Sequence, residues 1–215
     1  MTNNMQGTSN GMKDFLKGII FFGLFAVPFL TLYVENDFFF PFITGKNFAF
    51  RIIVEIVLAA WVLLALYDKQ YRPRFSWLLT SFSALIGIMF LASLNAVHPA
   101  TAFFSNYERM DGFITLIHVY AYFVLLGTML RTPKAWSYFL HTTIAVGGFV
   151  ALKGLSQLSG STVRVDSTLG NAAYMAVYML FHIFFLAYLF FQTKVTPYRV
   201  VYALLAILFV YVLLQ

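Results

Sequence analysis

The chain has 215 residues, of which 61% are hydrophobic, 20% aromatic and only 10% charged. An ordinary soluble domain is about 45–50% apolar and about 25% charged. Fourteen basic and eight acidic side chains are too few to cover a water-exposed surface around 26 Phe, 13 Tyr and three Trp, which excludes a soluble enzyme and a disordered tail. The absence of cysteine excludes disulfide frameworks, thiolate metal sites, iron–sulfur ligation and a Cys nucleophile. The net charge of +6 carries no nucleic-acid signal, because the basic residues sit between apolar segments, where they set membrane orientation.

A helix needs about 20 apolar residues to cross a hydrocarbon layer of about 30 Å. Six segments qualify in chain order: 15–34, 48–67, 75–95, 112–130, 136–158 and 172–191. A seventh starts near Tyr198 and is barely long enough to span at Gln215. The expected fold is therefore all-α, a polytopic transmembrane helical bundle of six clear spans plus a truncated or terminal seventh. Residues 1–14 read as a cytoplasmic tail and 15–215 as the transmembrane domain. Pro28 is expected to interrupt the first span only weakly. That span is too long for a signal peptide, and Tyr33-Val34-Glu35 is a poor cleavage site.

A cytoplasmic N-terminus places Lys13, Lys17, Lys69, Arg72, Arg74, Arg131, Lys134, Lys194 and Arg199 inside, and Lys46, Arg51, Arg109, Lys153 and Arg164 toward the outer face. This is the positive-inside pattern. The inner connections, 68–74, 131–135 and 192–197, are short, and no GxxxxGK[ST] or GxGxxG sequence occurs. The outer connections, 35–47, 96–111 and 159–171, are longer, so chemistry is expected at the outer face.

Two outer clusters carry the polar groups next to long apolar runs. The stretch 105–112 (Ser-Asn-Tyr-Glu-Arg-Met-Asp-Gly) holds Glu108, Arg109 and Asp111. Asp111 or Asn106 near a helix cap, with Arg109 satisfied by Glu108 or a lipid headgroup, is one reading. The other makes Arg109 an anion clamp, a task suited to a rigid, always-charged fork of donors. The stretch 164–171 (Arg-Val-Asp-Ser-Thr-Leu-Gly-Asn) offers Arg164, with Thr168 or Asn171 as a helix cap, Gly170 for a tight turn, and Asp166 as a neutralising partner. Two outward arginines feeding one cavity suit a diphosphate; two independent loop charges look identical in sequence.

Arg51 and Glu55, four apart in the second span, are expected to pair on one helix face. Glu55 also keeps a transport reading open, and Lys153 snorkels. The four histidines, His98, His118, His141 and His182, show no metal-ligand spacing. Only His98 sits at the outer face where a base would act.

The strings Pro-Phe-Ile-Thr-Gly-Lys at 41–46 with Phe50-Arg51, Tyr-Arg-Pro-Arg at 71–74, the stretch 105–112, and Ser-Thr-Leu-Gly-Asn at 167–171 with Tyr-Met-Ala-Val-Tyr at 174–178 occur in order among the spans. Together they resemble the N-terminal half of the O-antigen ligase and polymerase superfamily, closest to O-antigen ligase-like proteins. The resemblance implies a multi-pass glycosyltransferase of the bacterial cytoplasmic membrane. It would act at the outer face on an undecaprenyl-diphosphate-linked glycan and transfer it to a hydroxyl of lipid A–core, another glycan or a protein. No cofactor or metal ion is implied. Arg109 and Arg164, with Glu108 and Asn171, are the substrate-binding residues that it suggests, the arginines toward the donor diphosphate.

The family's large extracytoplasmic loop, with the histidine thought to act as base, has no counterpart in this sequence. Its role is therefore not carried to His98, and no catalytic residue is assigned. The expectation is one part of a larger ligase-like enzyme, with a further C-terminal half or a partner subunit. The alternatives are a catalytically incomplete lipid-linked-glycan binding protein, or a small membrane transporter or assembly factor.

Overall fold

The computed structural model describes residues 2–158 and 164–215, with side chains from residue 11 onward. Among the described residues the regular structure is helical: α1 Thr2–Ala26, α2 Thr44–Tyr67, α3 Trp77–Leu94, α4 Pro99–Phe104, α5 Phe113–Met129, α6 Pro133–Leu158, α7 Ala172–Gln192 and α8 Thr196–Leu213, with 3₁₀ turns at Val27–Leu32 and Lys69–Tyr71. Six spans, Gly11–Leu32, Thr44–Tyr67, Trp77–Leu94, Pro133–Leu158, Ala172–Gln192 and Thr196–Leu213, are long and apolar enough to cross a membrane. The protein is an all-α, polytopic membrane bundle. Residues 159–163 of the expected third outer connection lie outside the described residues.

The number of full spans agrees with the sequence reading, but their identity shifts. The segment expected at 112–130 yields α5, of 17 residues, about 26 Å at 1.5 Å per residue. Gly112 caps it and Leu130 closes it. The seventh segment, expected to be barely long enough, is an 18-residue helix that counts among the full spans, with Pro197 in its first turn. Pro28 leaves the first span intact but changes its winding. Lacking an N–H, it ends α1 at Ala26 and opens the Val27–Leu32 3₁₀ turn, where the Thr31 hydroxyl donates to the Pro28 carbonyl at 2.9 Å.

The chain divides into two compact units, Met1–Val27 with Asn47–Arg131, and Pro28–Lys46 with Thr132–Gln215. In the first, Leu16, Ile20 and Leu24 recur every four residues along α1 and pack with Val57, Ala60 and Leu64 of α2 and with Leu125 and Met129 of α5. In the second, α7 buries Met175, Met179, His182, Leu186 and Leu189, a four–three alternation that makes one seam. Val146 and Val150 of α6 and Tyr202, Phe209 and Val212 of α8 close this core. Gly147 lets α6 approach closely: a Cβ there would stand 2.8 Å from Cδ2 of His182.

Outside these cores the helices show large apolar side chains. Phe22, Ile56, Leu66, Leu78, Phe184, Phe191 and Leu204 are all more than half exposed, and α3 buries only Ile86. Such a surface drives association in water and is the favourable one against lipid.

Candidate functional site

In the first unit, residues 105–112 form a closed loop ahead of α5. Asn106 accepts from the Arg109 backbone N–H at 2.9 Å, and its carbonyl accepts from Met110 N at 3.0 Å. The Asp111 carboxylate takes the Ser105 hydroxyl. Gly112 is the N-cap of α5 without a side-chain bond, so Asp111 and Asn106 brace the loop instead of capping the helix. Met110, at φ 52°, turns inward and is buried, while Glu108, Arg109 and Asp111 on either side stay exposed. Arg109 makes no ion pair with Glu108 among the described residues.

The floor of this loop is held from α2. Arg51 Nη2 donates to the Met110 carbonyl at 3.2 Å and to the Thr115 hydroxyl, which itself donates to the same carbonyl. Arg51 and Glu55, which can pair by their spacing, form no ion pair among the described residues, though the Glu55 charge still acts on the guanidinium. Glu55 meets His118 of α5 instead, Oε1 to Nε2 at 3.1 Å. His118 Nδ1 lies 2.6 Å from the Ile114 carbonyl and so carries its proton toward that oxygen. Helical spacing allowed Arg51 to reach Glu55, but the cross-helix groups offered each side chain a partner that also closes tertiary structure.

In the second unit, residues 164–171 are tied down from both ends. Gln157, near the end of α6, donates to Asp166 Oδ1 at 2.9 Å and accepts from Ser167 N at 2.8 Å. Asp166 therefore serves Gln157, and no Arg164–Asp166 ion pair forms among the described residues. Ser167, at φ 53°, donates its hydroxyl to the Val150 carbonyl at 2.7 Å. The Lys46 ammonium donates to the Thr168 carbonyl. Gly170 has φ +69°, and its Cα faces the Phe42 ring so closely that no Cβ fits. Asn171 is the N-cap of α7, its Oδ1 accepting from Ala173 N at 2.8 Å.

Arg164 is exposed and lines a cavity of about 330 Å³ whose wall includes Ala172, Ala173, Met175 and Ala176 from the first turns of α7. Val212, Leu213, Leu214 and Gln215 of and after α8 form its other wall. Arg109 and Glu108 thus belong to one unit, and Arg164 and Asn171 to the other. Gln157 and Lys46 were not singled out as loop anchors from sequence. Lys46 did carry a signal: a cation in the first turn of a helix opposes the helix dipole and calls for a partner.

Basic residues at the other helix ends act as carbonyl caps. Arg72 Nε donates to Ala65 O at 3.1 Å, Arg131 to Thr128 O and Arg72 O at 2.7 and 2.9 Å, and Arg199 to Thr193 O at 3.0 Å. Asp68 receives the Gln70 backbone N–H and the Lys13 ammonium, both at 3.1 Å, and these hold its carboxyl below the usual carboxylate range. No group of three or more metal-ligating side chains occurs among the described residues. No family model, curated protein or solved structure matches the chain.

Proposed function

We propose that this protein holds a polyprenyl-diphosphate-linked glycan at the outer face of a bacterial cytoplasmic membrane, with its N-terminus inside, as part of an O-antigen ligase-like glycosyltransferase. One observation carries the reading. Arg164, with no carboxylate partner among the described residues, lines a cavity at the start of the 21-residue helix α7. A phosphoryl group there meets a forked donor and the positive end of a helix dipole. Arg109, on a braced loop of the other unit and likewise without a carboxylate among the described residues, is a second candidate for a lipid phosphate in its own right. Within each unit Glu108 precedes Arg109 and Asn171 follows Arg164 in the same loop, and the Asn171 amide N–H₂ takes no part in the capping bond made by its oxygen.

In the reaction assigned, an acceptor hydroxyl of lipid A–core, another glycan or a protein attacks the anomeric carbon. The bond from that carbon to the diphosphate oxygen breaks with inversion, and the lipid diphosphate leaves carrying the electron pair. Arginines on the diphosphate stabilise that growing charge. The acceptor proton goes to a general base that the resemblance places on a loop without counterpart in these residues, so the share assigned here is donor binding.

Titrating the full chain in detergent with undecaprenyl diphosphate tests this. A charge-assisted hydrogen bond contributes about 1.5–3 kcal/mol, so Arg164→Gln and Arg109→Gln should each weaken binding by roughly 10- to 100-fold. Unchanged affinity in both variants contradicts the proposal.

A second reading has its own observation, the contact between Glu55, inside the Thr44–Tyr67 span, and His118 of α5. Proton-coupled transport would require Glu55→Gln to abolish proton uptake into vesicles containing the protein. Donor binding requires no such flux.

A further inference from the structure

A larger cavity, of about 500 Å³, lies at the opposite end of α7 from Arg164, between the first turns of α6 and α8 and the last turn of α7. Its wall is polar and aromatic, with Tyr138 and His141 from α6, Gln192 and Thr193 after α7, and Tyr198 and Tyr202 from α8. His141 Nδ1 donates to the Ser137 carbonyl at 2.6 Å, which fixes the tautomer. His141 Nε2 then accepts the Tyr202 hydroxyl proton at 2.7 Å, and the Tyr202 oxygen keeps its lone pairs for an incoming donor.

Three cations neighbour residues of this wall without lining it. Lys134 Nζ stands 5.7 Å from the centre of the Tyr138 ring, and Arg199 is anchored on Thr193 O with its guanidinium 5.2 Å from the Phe190 ring centre. Lys194 follows Thr193 in the chain and is exposed. No Asp or Glu occurs anywhere in residues 132–158 or 172–215. The acidic residues of this unit, Glu35, Asp37 and Asp166, lie at the other end. Asp166 precedes α7, and Glu35 packs against Gly45, next to the Lys46 that reaches Thr168. Two helix N-termini, those of α6 and α8, add positive partial charge. Within this unit the chain therefore supplies cations, hydroxyls and aromatic surface at one end of the helices, with no acidic residue of the unit beside them.

We infer that this cavity seats the phosphate headgroup of an anionic phospholipid. Its phosphodiester oxygens take Lys134, Lys194 and Arg199, a glycerol hydroxyl donates to Tyr202, and the acyl chains run along the exposed apolar row that includes Val201 and Leu204. Tyrosines suit the boundary, since each gives the lipid an apolar face and the headgroup a hydroxyl. This goes beyond donor binding and occupies the opposite end of the helices, so either assignment stands or falls without the other.

The test is native mass spectrometry of the full chain in detergent micelles doped with phosphatidylglycerol or phosphatidylcholine. The expected result is one phosphatidylglycerol retained per chain and no selective retention of phosphatidylcholine. Each cation near an anionic headgroup contributes about 1 kcal/mol. Lys134→Gln, Lys194→Gln and Arg199→Gln together should therefore weaken retention on the order of a hundredfold, and Arg199→Lys should restore most of what Arg199→Gln loses. If the triple variant unfolds without lipid, the Lys134→Gln/Lys194→Gln pair, at two exposed positions, gives the same reading with an effect of about 30-fold. Equal retention of phosphatidylcholine, or undiminished retention by these variants, overturns the inference. Displacement of the lipid by soluble glycerol phosphate at low millimolar concentration overturns the lipid as the source of the phosphate.

Discussion

Gly112 sits where the loop before α5 doubles back on α4, and a Cβ there would stand 2.7 Å from both the Phe103 carbonyl carbon and Ser105 N. These are backbone atoms, so the clash is relieved only by opening the loop that presents Arg109. Gly112→Ala is expected to cost about 1–3 kcal/mol, as overpacking does, and to weaken donor binding as well. Gly170 differs in kind, because its φ of +69° already disfavours a side chain and Phe42 occupies the space. Gly170→Ala should cost at least about 1–2 kcal/mol from the backbone alone. Thermal unfolding of both variants in detergent measures the losses; wild-type midpoints would contradict the loop geometry. Neither requirement was readable in full beforehand. Gly170 was expected to make a tight turn, but the Phe42 contact joins residues 128 apart in the chain.

At the scale of elements, the helices were legible because each span must satisfy its own backbone and face lipid with apolar side chains, which leaves long hydrophobic runs. Their ends were legible where capping chemistry is local. Asn171, one of the two residues expected to cap it, caps α7, whereas Ser76 at α3 and the prolines that open α4, α6 and α8 were not singled out. What pairs with what was not legible. Arg51 and Glu55 satisfy the helical rule for a pair, yet Arg51 holds Met110 and Glu55 meets His118 from 63 residues away. Local spacing states which contacts are sterically open, and tertiary packing chooses among them. A double-mutant cycle of Glu55→Gln with His118→Phe should return a coupling of about 0.5–3 kcal/mol, the range for directly bonded neighbours. The same cycle between Glu55 and Arg51 should return less. Strong Glu55–Arg51 coupling with none to His118 would reverse this account.

Over the whole molecule, two units of helices each bury a modest core and present the rest of their apolar surface outward, as a polytopic membrane protein does. Charged groups sit chiefly at the helix ends. Asp68 joins the start of the first span to the end of the second through Lys13. Its folded carboxyl titrates below its unfolded value of about 3.9. The resulting stabilisation is therefore present above that value and is lost as the pH falls through the folded one. Asp68→Asn should lower the unfolding midpoint slightly at neutral pH, as exposed ion pairs contribute little. The difference from wild type should vanish in strong acid; a difference that grows toward low pH would contradict the sign.

Donor binding as proposed rests on the arginines of the polar loops ahead of α5 and α7, one in each unit. Its most direct measurement is the affinity of the full chain for undecaprenyl diphosphate, undecaprenyl monophosphate and undecaprenol in one micelle, repeated for the Arg109→Gln/Arg164→Gln double variant. The wild type should rank diphosphate above monophosphate above alcohol, and the double variant should bind all three alike. A wild type that does not distinguish the three lipids, or a double variant that keeps the ranking, would contradict donor binding.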